Sequence, residues 1–357
     1  MQIEDWESAE SLPALYRELQ SLGLETNIAE LEAFGFTVVP PEKVAPPEFH
    51  AEVKVALERV MKTRFGANAS AEHWAKHWRN TNDILRFILW DDPIFERVVM
   101  LPAALGLIQY LVGTNCILSL CDGWVKGTGD ARTAVHCDWT DFTRKTFSAE
   151  PNHANVNYML TDYSIDEGCI GFVPGSHRWR RFPSNEEAGI WGDRLHPIEA
   201  PAGSIVVWGD HTWHGSLPRS APGERLMILC EYARPRLQTQ EPFRETVTQA
   251  ALDRNPIRFT GLMDVYGPFP FGKSDRQFDR ADQGPPGSGA GMSARLYCSL
   301  FDREPAAGRT SLRPAYKYME HDGLMVRERS RAVAVAGRTK RRIAEQLGRD
   351  WVDRIDL

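Results

Sequence analysis

The chain has 357 residues, 42% of them hydrophobic, 10% aromatic and 25% charged. That is the composition of a folded globular protein, and it excludes disorder, collagen-like repeats and fibres. Its 42 Lys and Arg against 48 Asp and Glu give a net charge of −6, a poor balance for gripping phosphates, so no nucleic-acid partner is expected.

No stretch approaches the roughly 18 apolar residues of a membrane span. The start, MQIEDWESAESLPALYRELQ, lacks the basic-then-apolar order of a signal peptide. No membrane partner and a cytoplasmic location are therefore expected. Cys116, Cys121, Cys137, Cys169, Cys230 and Cys298 show no CxxC pair or zinc-like spacing, and read as reduced thiols, mostly in the core.

In chain order, residues 8–22 place Leu12, Leu15, Tyr16, Leu19 and Leu22 at helical spacing. An extended segment, 34–39, ends at Pro40-Pro41. Residues 48–64 return to the helical period with Phe49, Val53, Val55, Leu57, Val60 and Met61. Residues 83–112 read as apolar helix cut by Pro93 and Pro102 into about three pieces. The character changes near Asn115. Short β-like runs follow at 116–120, 155–160, 169–175, 204–209 and 225–232, separated by Gly, Pro, Asp and Ser without intervening helices. This pattern predicts an antiparallel sandwich or barrel. Residues 235–300 read as irregular, with exposed loops at 267–273 and 283–291, and residues 328–348 as a basic amphipathic helix.

The expected organisation is one catalytic unit in three parts: a helical segment, 1–114, packed on a barrel core, 115–234, and a C-terminal extension, 235–357. Residues 1–60 hold 12 acidic and 4 basic side chains, and 301–357 hold 9 acidic and 13 basic. These are either solvated faces or ends that pack together or onto another subunit of a homo-oligomer.

The informative segment is AVHCDW, 134–139. On a strand, His136 and Asp138 point to one face and Cys137 to the other. An imidazole and a carboxylate on one face are two of the three ligands of a 2-His-1-carboxylate iron centre. WGDHTWHGS, 208–216, offers His211 or His214 as the third. Arg225 opens another strand eleven residues after His214, and a guanidinium can bind the distal carboxylate of 2-oxoglutarate bidentately.

This ordered set resembles the phytanoyl-CoA dioxygenase family of iron(II)- and 2-oxoglutarate-dependent oxygenases. The resemblance rests on HCD (136–138), EGCIGFVPGSH (167–177), the stretch 203–216 and Arg225. It extends to LEAFGFTVV (31–39) as an opening strand and to 91–113 as helices before the barrel, covering roughly residues 30–234. It implies a mainly β fold with flanking helices around a double-stranded β-helix (jelly-roll, cupin-like) core. It implies that His136, Asp138 and His214 hold Fe(II), with His214 preferred over His211 for its His-Gly-Ser sequence and its spacing to Arg225. Arg225 would pair with 2-oxoglutarate, and Ser216 and Asn157 would help hold that cosubstrate. O2 would be consumed and 2-oxoglutarate decarboxylated to succinate and CO2 as a small organic substrate is oxidised, with hydroxylation the leading outcome. Because Asp138 keeps the carboxylate that halogenating relatives lack, halogenation is not expected.

Other residues read more plainly. His177 falls in a rim turn, and Trp139, Trp191, Trp208 and Trp213 either pack or line a pocket. His73, Trp74 and His77 lie on an exposed or lid-facing helix. A non-catalytic small-ligand-binding β-helix module with a vestigial metal site is the competing function. A metallohydrolase is a third, though it leaves Arg225 unexplained.

Overall fold

The computed structural model describes residues 11–66, 84–130, 132–139, 146–235, 237–265, 318–321 and 324–327. The chain opens with α1 (Ser11–Ser21), α2 (Glu25–Phe34), β1 (Phe36–Val39), α3 (Pro41–Val44) and α4 (Pro47–Phe65). Next come β2 (Ile84–Leu85), α5 (Pro93–Val98) and α6 (Pro102–Val112). The barrel strands are β3 (Ile117–Lys126), β4 (His153–Met159), β5 (Ile170–Phe172), β6 (His196–Pro197), β7 (Ile205–Gly209), β8 (His214–Ser216) and β9 (Arg225–Ala233), with helix α7 (Asn185–Gly192) between β5 and β6. Three short helices follow, α8 (Phe243–Thr246), α9 (Gln249–Arg254) and α10 (Ile257–Leu262). Tyr318–His321 and Leu324–Arg327 then pair antiparallel.

Six strands form one antiparallel sheet in the order β1-β7-β4-β9-β3-β2, and three form a second in the order β6-β5-β8. The two sheets close on an aromatic interior. Phe36 of β1 stacks on Phe172 of β5 with centroids 4.4 Å apart, and Trp208 of β7 meets Phe172 edge-on at 5.5 Å. Met159, Val206 and Met227 from the large sheet and Ile170 from the small one complete this cluster. The double-stranded β-helix core is thus observed.

The period of two along each strand divides the large sheet into two faces. On β4, Ala154, Val156 and Tyr158 join the main core under the helices, while Met159 joins the interior cluster. On β9, Leu226, Ile228, Cys230 and Tyr232 lie on the outer side. Helix α6 is the principal cover, with eight buried residues, as a helix apolar on nearly every side must be.

Several boundaries differ from expectation. Residues 84–92 are not helix. Ile84 and Leu85 pair with Trp124 and Gly123 of β3, and the helix begins only at Pro93, where Asp92 caps the Ile94 amide at 2.9 Å. A short buried apolar run does not distinguish strand from helix. Residues 31–34 end helix α2, so the opening strand starts at Phe36.

The stretch after 235 is not wholly irregular: Phe243, Val247, Ala251, Phe259 and Leu262 enter the main core. Helices of four to six residues are too short to show a period. The anticipated loops at 267–273 and 283–291, the helix at 328–348, His73, Trp74 and His77 lie outside the described residues. Among the described residues no helix is long and apolar enough to cross a membrane. The five described cysteines are free and buried.

Candidate active site

His136 is held by a single bridge rather than a full strand: its amide donates to the His214 carbonyl, and the His214 amide returns the bond, both at 2.9 Å. This bridge seats the HxD segment beside β8. Gly215 makes the approach possible, since a Cβ there would meet the Thr133 carbonyl oxygen at 2.7 Å. The alternation read from the sequence holds. Val135, Cys137 and Trp139 enter a separate apolar cluster with Phe147 and Trp213, while His136 and Asp138 face His214.

Among the described residues, His136, Asp138 and His214 form a group able to hold a metal ion, with one donor atom from each lying within 4.8 Å of the others. His136 Nε2 is 3.4 Å from Asp138 Oδ1, and His214 Nε2 is 3.5 Å from Oδ2. Each imidazole is oriented by its other nitrogen. His136 Nδ1 donates to the Ala134 carbonyl at 2.8 Å and His214 Nδ1 to the Thr212 carbonyl at 3.0 Å. That fixes the tautomer and turns both Nε2 lone pairs toward the carboxylate. Asp138 Oδ2 accepts from Asn155 Nδ2 at 2.9 Å and from Trp208 Nε1 at 3.1 Å.

Electrostatics favour the ligating forms of His214 and Asp138. Burial pushes His214 down to about 4, leaving it neutral near pH 7. Burial opposes ionisation of Asp138, but His214, His136 and the Trp208 N–H outweigh it and hold the carboxyl well below its ordinary range. Burial likewise opposes the charged form of His136, and the hydrogen bond to Asp138 turns the balance upward. Two neutral-capable imidazoles and one carboxylate, anchored from behind, fit a divalent iron.

The cosubstrate candidates gather farther along the same interior. Arg225, 3% exposed, lies with its Cζ 4.6 Å from the Tyr163 ring centroid. One Nη donates to the Gly168 carbonyl, while its buried Nε has no hydrogen-bond partner among the described residues. Gly168 adopts φ +64°, and a Cβ there would strike the Leu217 and Pro218 carbonyls at 2.9 and 3.0 Å, so the carbonyl's position depends on glycine.

Ser216 Oγ accepts from the Thr133 amide at 2.9 Å and from Lys126 Nζ at 3.2 Å. Asn157 accepts from the Tyr163 hydroxyl at 3.2 Å, so it meets Arg225 through Tyr163. Lys126, Tyr163, Asn155 and the role of Trp208 were not singled out by sequence reasoning. Asn155 was accessible to it, two residues before Asn157 on the same strand face.

His211 is not part of the metal group. Its ring lies beside Trp139 and Phe147, with centroids at 5.0 and 5.6 Å. His177 packs against Gly35. Trp139 stacks on Phe147, Trp213 donates to the Arg181 carbonyl at 2.9 Å, and Trp191 sits beside Trp179.

This fold and donor set are those of the non-haem iron, 2-oxoglutarate-dependent oxygenases. The chain belongs to one family of that class, phytanoyl-CoA dioxygenase (PhyH), whose profile matches residues 31–227. It is 25% identical over 245 residues to "Dioxygenase af480" of Aspergillus fumigatus, covering 64% of this chain and 73% of that one. It is 23% identical over 190 residues to "Uncharacterized protein Rv1501" of Mycobacterium tuberculosis, covering 51% and 67%. Among solved structures, HygX from Streptomyces hygroscopicus with nickel and 2-oxoglutarate bound superposes with a TM-score of 0.49 at 18% identity, over 60% of this chain and 88% of that one. Likeness at that level does not bear on substrate.

Proposed function

We propose that the protein hydroxylates a small organic substrate with the overall balance R–H + O2 + 2-oxoglutarate → R–OH + succinate + CO2. The observation that carries this reading is the juxtaposition along β8. His214 belongs to the metal group, and Ser216, two residues on, belongs to the cation-lined end with Arg225. Two residues of strand span about 7 Å, the scale of a five-carbon dicarboxylate reaching from a metal to a guanidinium.

In this reading His136 and His214 donate their Nε2 lone pairs and Asp138 offsets one positive charge. Asn155 and Trp208 hold Asp138 in place, and the apolar interior around Phe36, Phe172 and Met227 excludes water. Bound there, Fe(II) supplies the O2-dependent oxidation while 2-oxoglutarate gives up CO2. Arg225 grips the distal carboxylate, Ser216 adds a hydroxyl beside it, and Asn157 steadies Arg225 through Tyr163. A vestigial binding module has no need of three converging ligands and a buried guanidinium with a spare N–H. Free, buried cysteines fit a reducing, cytoplasmic setting.

The test is a substrate screen with Fe(II), 2-oxoglutarate and O2, read by succinate release and by the mass of the products. Succinate formed in step with a one-oxygen gain in a substrate supports the reading. A protein that binds Fe(II) but neither binds nor consumes 2-oxoglutarate across the screen overturns it. A product lacking two hydrogens instead would correct hydroxylation to desaturation or ring formation.

A further inference from the structure

We propose that Lys126 is a second cation of the cosubstrate site, donating with Arg225 to the distal carboxylate of 2-oxoglutarate. The inference rests on the oxygenase reading above. Lys126 ends β3 and Arg225 begins β9, and the two stand directly opposite each other in the antiparallel register. Like charges at such positions are destabilising, and here both side chains are buried, Lys126 to 1% exposure and Arg225 to 3%. The cost of such a pair is offset when an anion lies between or beside them.

Their surroundings fit that role. Lys126 Nζ reaches Ser216 Oγ at 3.2 Å and the Gly168 carbonyl at 3.4 Å, and also bonds to the Leu217 carbonyl. Arg225 shares Gly168 as an acceptor. The two cations therefore converge on one carbonyl, with Ser216 beside Lys126 and an unpartnered Nε on Arg225. The third cation nearby, Arg219, is already paired with Glu167 at 2.7 Å. Burial, and secondly the charge of Arg225, push the Lys126 ammonium down to about 7. A bound carboxylate would oppose both effects. The cosubstrate end would then be selective for a dicarboxylate by two cations of different shape: a planar fork that sets direction and a compact ammonium that adds charge.

The test compares two ligands on the full chain, loaded with Fe(II) without oxygen. One ligand is 2-oxoglutarate, and the other is 2-oxopentanoate, which has a methyl group in place of the distal carboxylate. Calorimetry gives both affinities for wild type, Lys126→Met, Lys126→Arg and Arg225→Ala, and iron binding without either ligand checks the fold. Lys126→Met should weaken 2-oxoglutarate about tenfold or more and leave 2-oxopentanoate within about twofold of wild type. Lys126→Arg should recover part of the loss. If Lys126→Met binds both ligands like wild type, or loses both equally, Lys126 is structural and the proposal is overturned. If wild type fails to prefer 2-oxoglutarate, or Arg225→Ala keeps the preference intact, the underlying reading of the cosubstrate end falls instead. If the Met variant does not fold, Lys126→Gln, which removes the charge but keeps a polar head, takes its place: a reduced 2-oxoglutarate preference supports the proposal, and an unchanged one overturns it.

Discussion

The two faces of the large sheet divide the work of the protein. Toward the helices, Val156 and Tyr158 of β4 and Ile228 and Cys230 of β9 lie in a continuous apolar core with α6. Toward the barrel interior, the same strands carry Asn155, Asn157 and Arg225, each buried, polar and hydrogen-bonded around the site. Adjacent residues thus differ in what their loss should do. An outer-face change should cost stability and spare the chemistry of whatever remains folded. An inner-face change should cost the chemistry and spare the fold.

The largest effect should come from the metal group. His214→Ala and Asp138→Ala should each reduce Fe(II) binding and succinate formation to background, with circular dichroism and unfolding midpoint nearly unchanged. His211→Ala provides the control. It vacates a place beside Trp139 and Phe147, so it should lower the midpoint while iron binding survives. Loss of iron in the His211 variant with retention in the His214 variant would reverse the choice of ligand.

Ile228→Ala probes the opposite face. Burying this side chain fully under the helices makes its removal worth about 2–5 kcal/mol. The denaturant midpoint should fall accordingly, while the 2-oxoglutarate affinity of the folded fraction stays at the wild-type value. Arg225→Ala should do the reverse. Loss of a charged hydrogen-bonding partner costs about 1.5–3 kcal/mol of binding, or about 10- to 150-fold in 2-oxoglutarate affinity, with iron binding retained. Were the two variants to lose stability alike, the division between faces would not hold.

The two faces also differ in how much of them could be read in advance. Outer-face strands are legible because β-branched runs bounded by turn residues have few other uses, and the five expected strand runs each overlap an observed strand. His136 and Asp138 were legible because a strand's period of two relates them locally. The third ligand lies 76 residues beyond Asp138, and only the sequence around it distinguished His214 from His211.

Lys126 was not legible, because a lysine closing an apolar strand reads as the point where the chain returns to water. Only its register opposite Arg225 reveals a buried pair. The helices beyond residue 235 were missed for a different reason: each is a turn or two long, and its burial is decided by α5 and the loop at Trp90 rather than by its own periodicity. Trp90 donates to Thr246 at 2.9 Å and meets Phe243 edge-on.

The finest test of the inner face is Trp208→Phe. Trp208 sits on β7 opposite Asn155 of β4, and both donate to the same oxygen of Asp138. Phenylalanine keeps most of the aromatic contact with Phe172 and removes only the indole N–H. One charge-assisted hydrogen bond among several holding a carboxylate is worth about 1.5–3 kcal/mol when it alone bears the load. With Asn155 still in place, the expected loss of iron affinity is smaller, about three- to tenfold. The double variant with Asn155→Ala should lose more than the product of the two single effects, because Asp138 is then free to turn away from the imidazoles. Strict additivity of the two substitutions, measured by iron titration in a double-mutant cycle, would show that the two N–H donors support Asp138 independently, and no loss in either single variant or in the double one would show that the inner face needs less support behind its ligands than this arrangement implies.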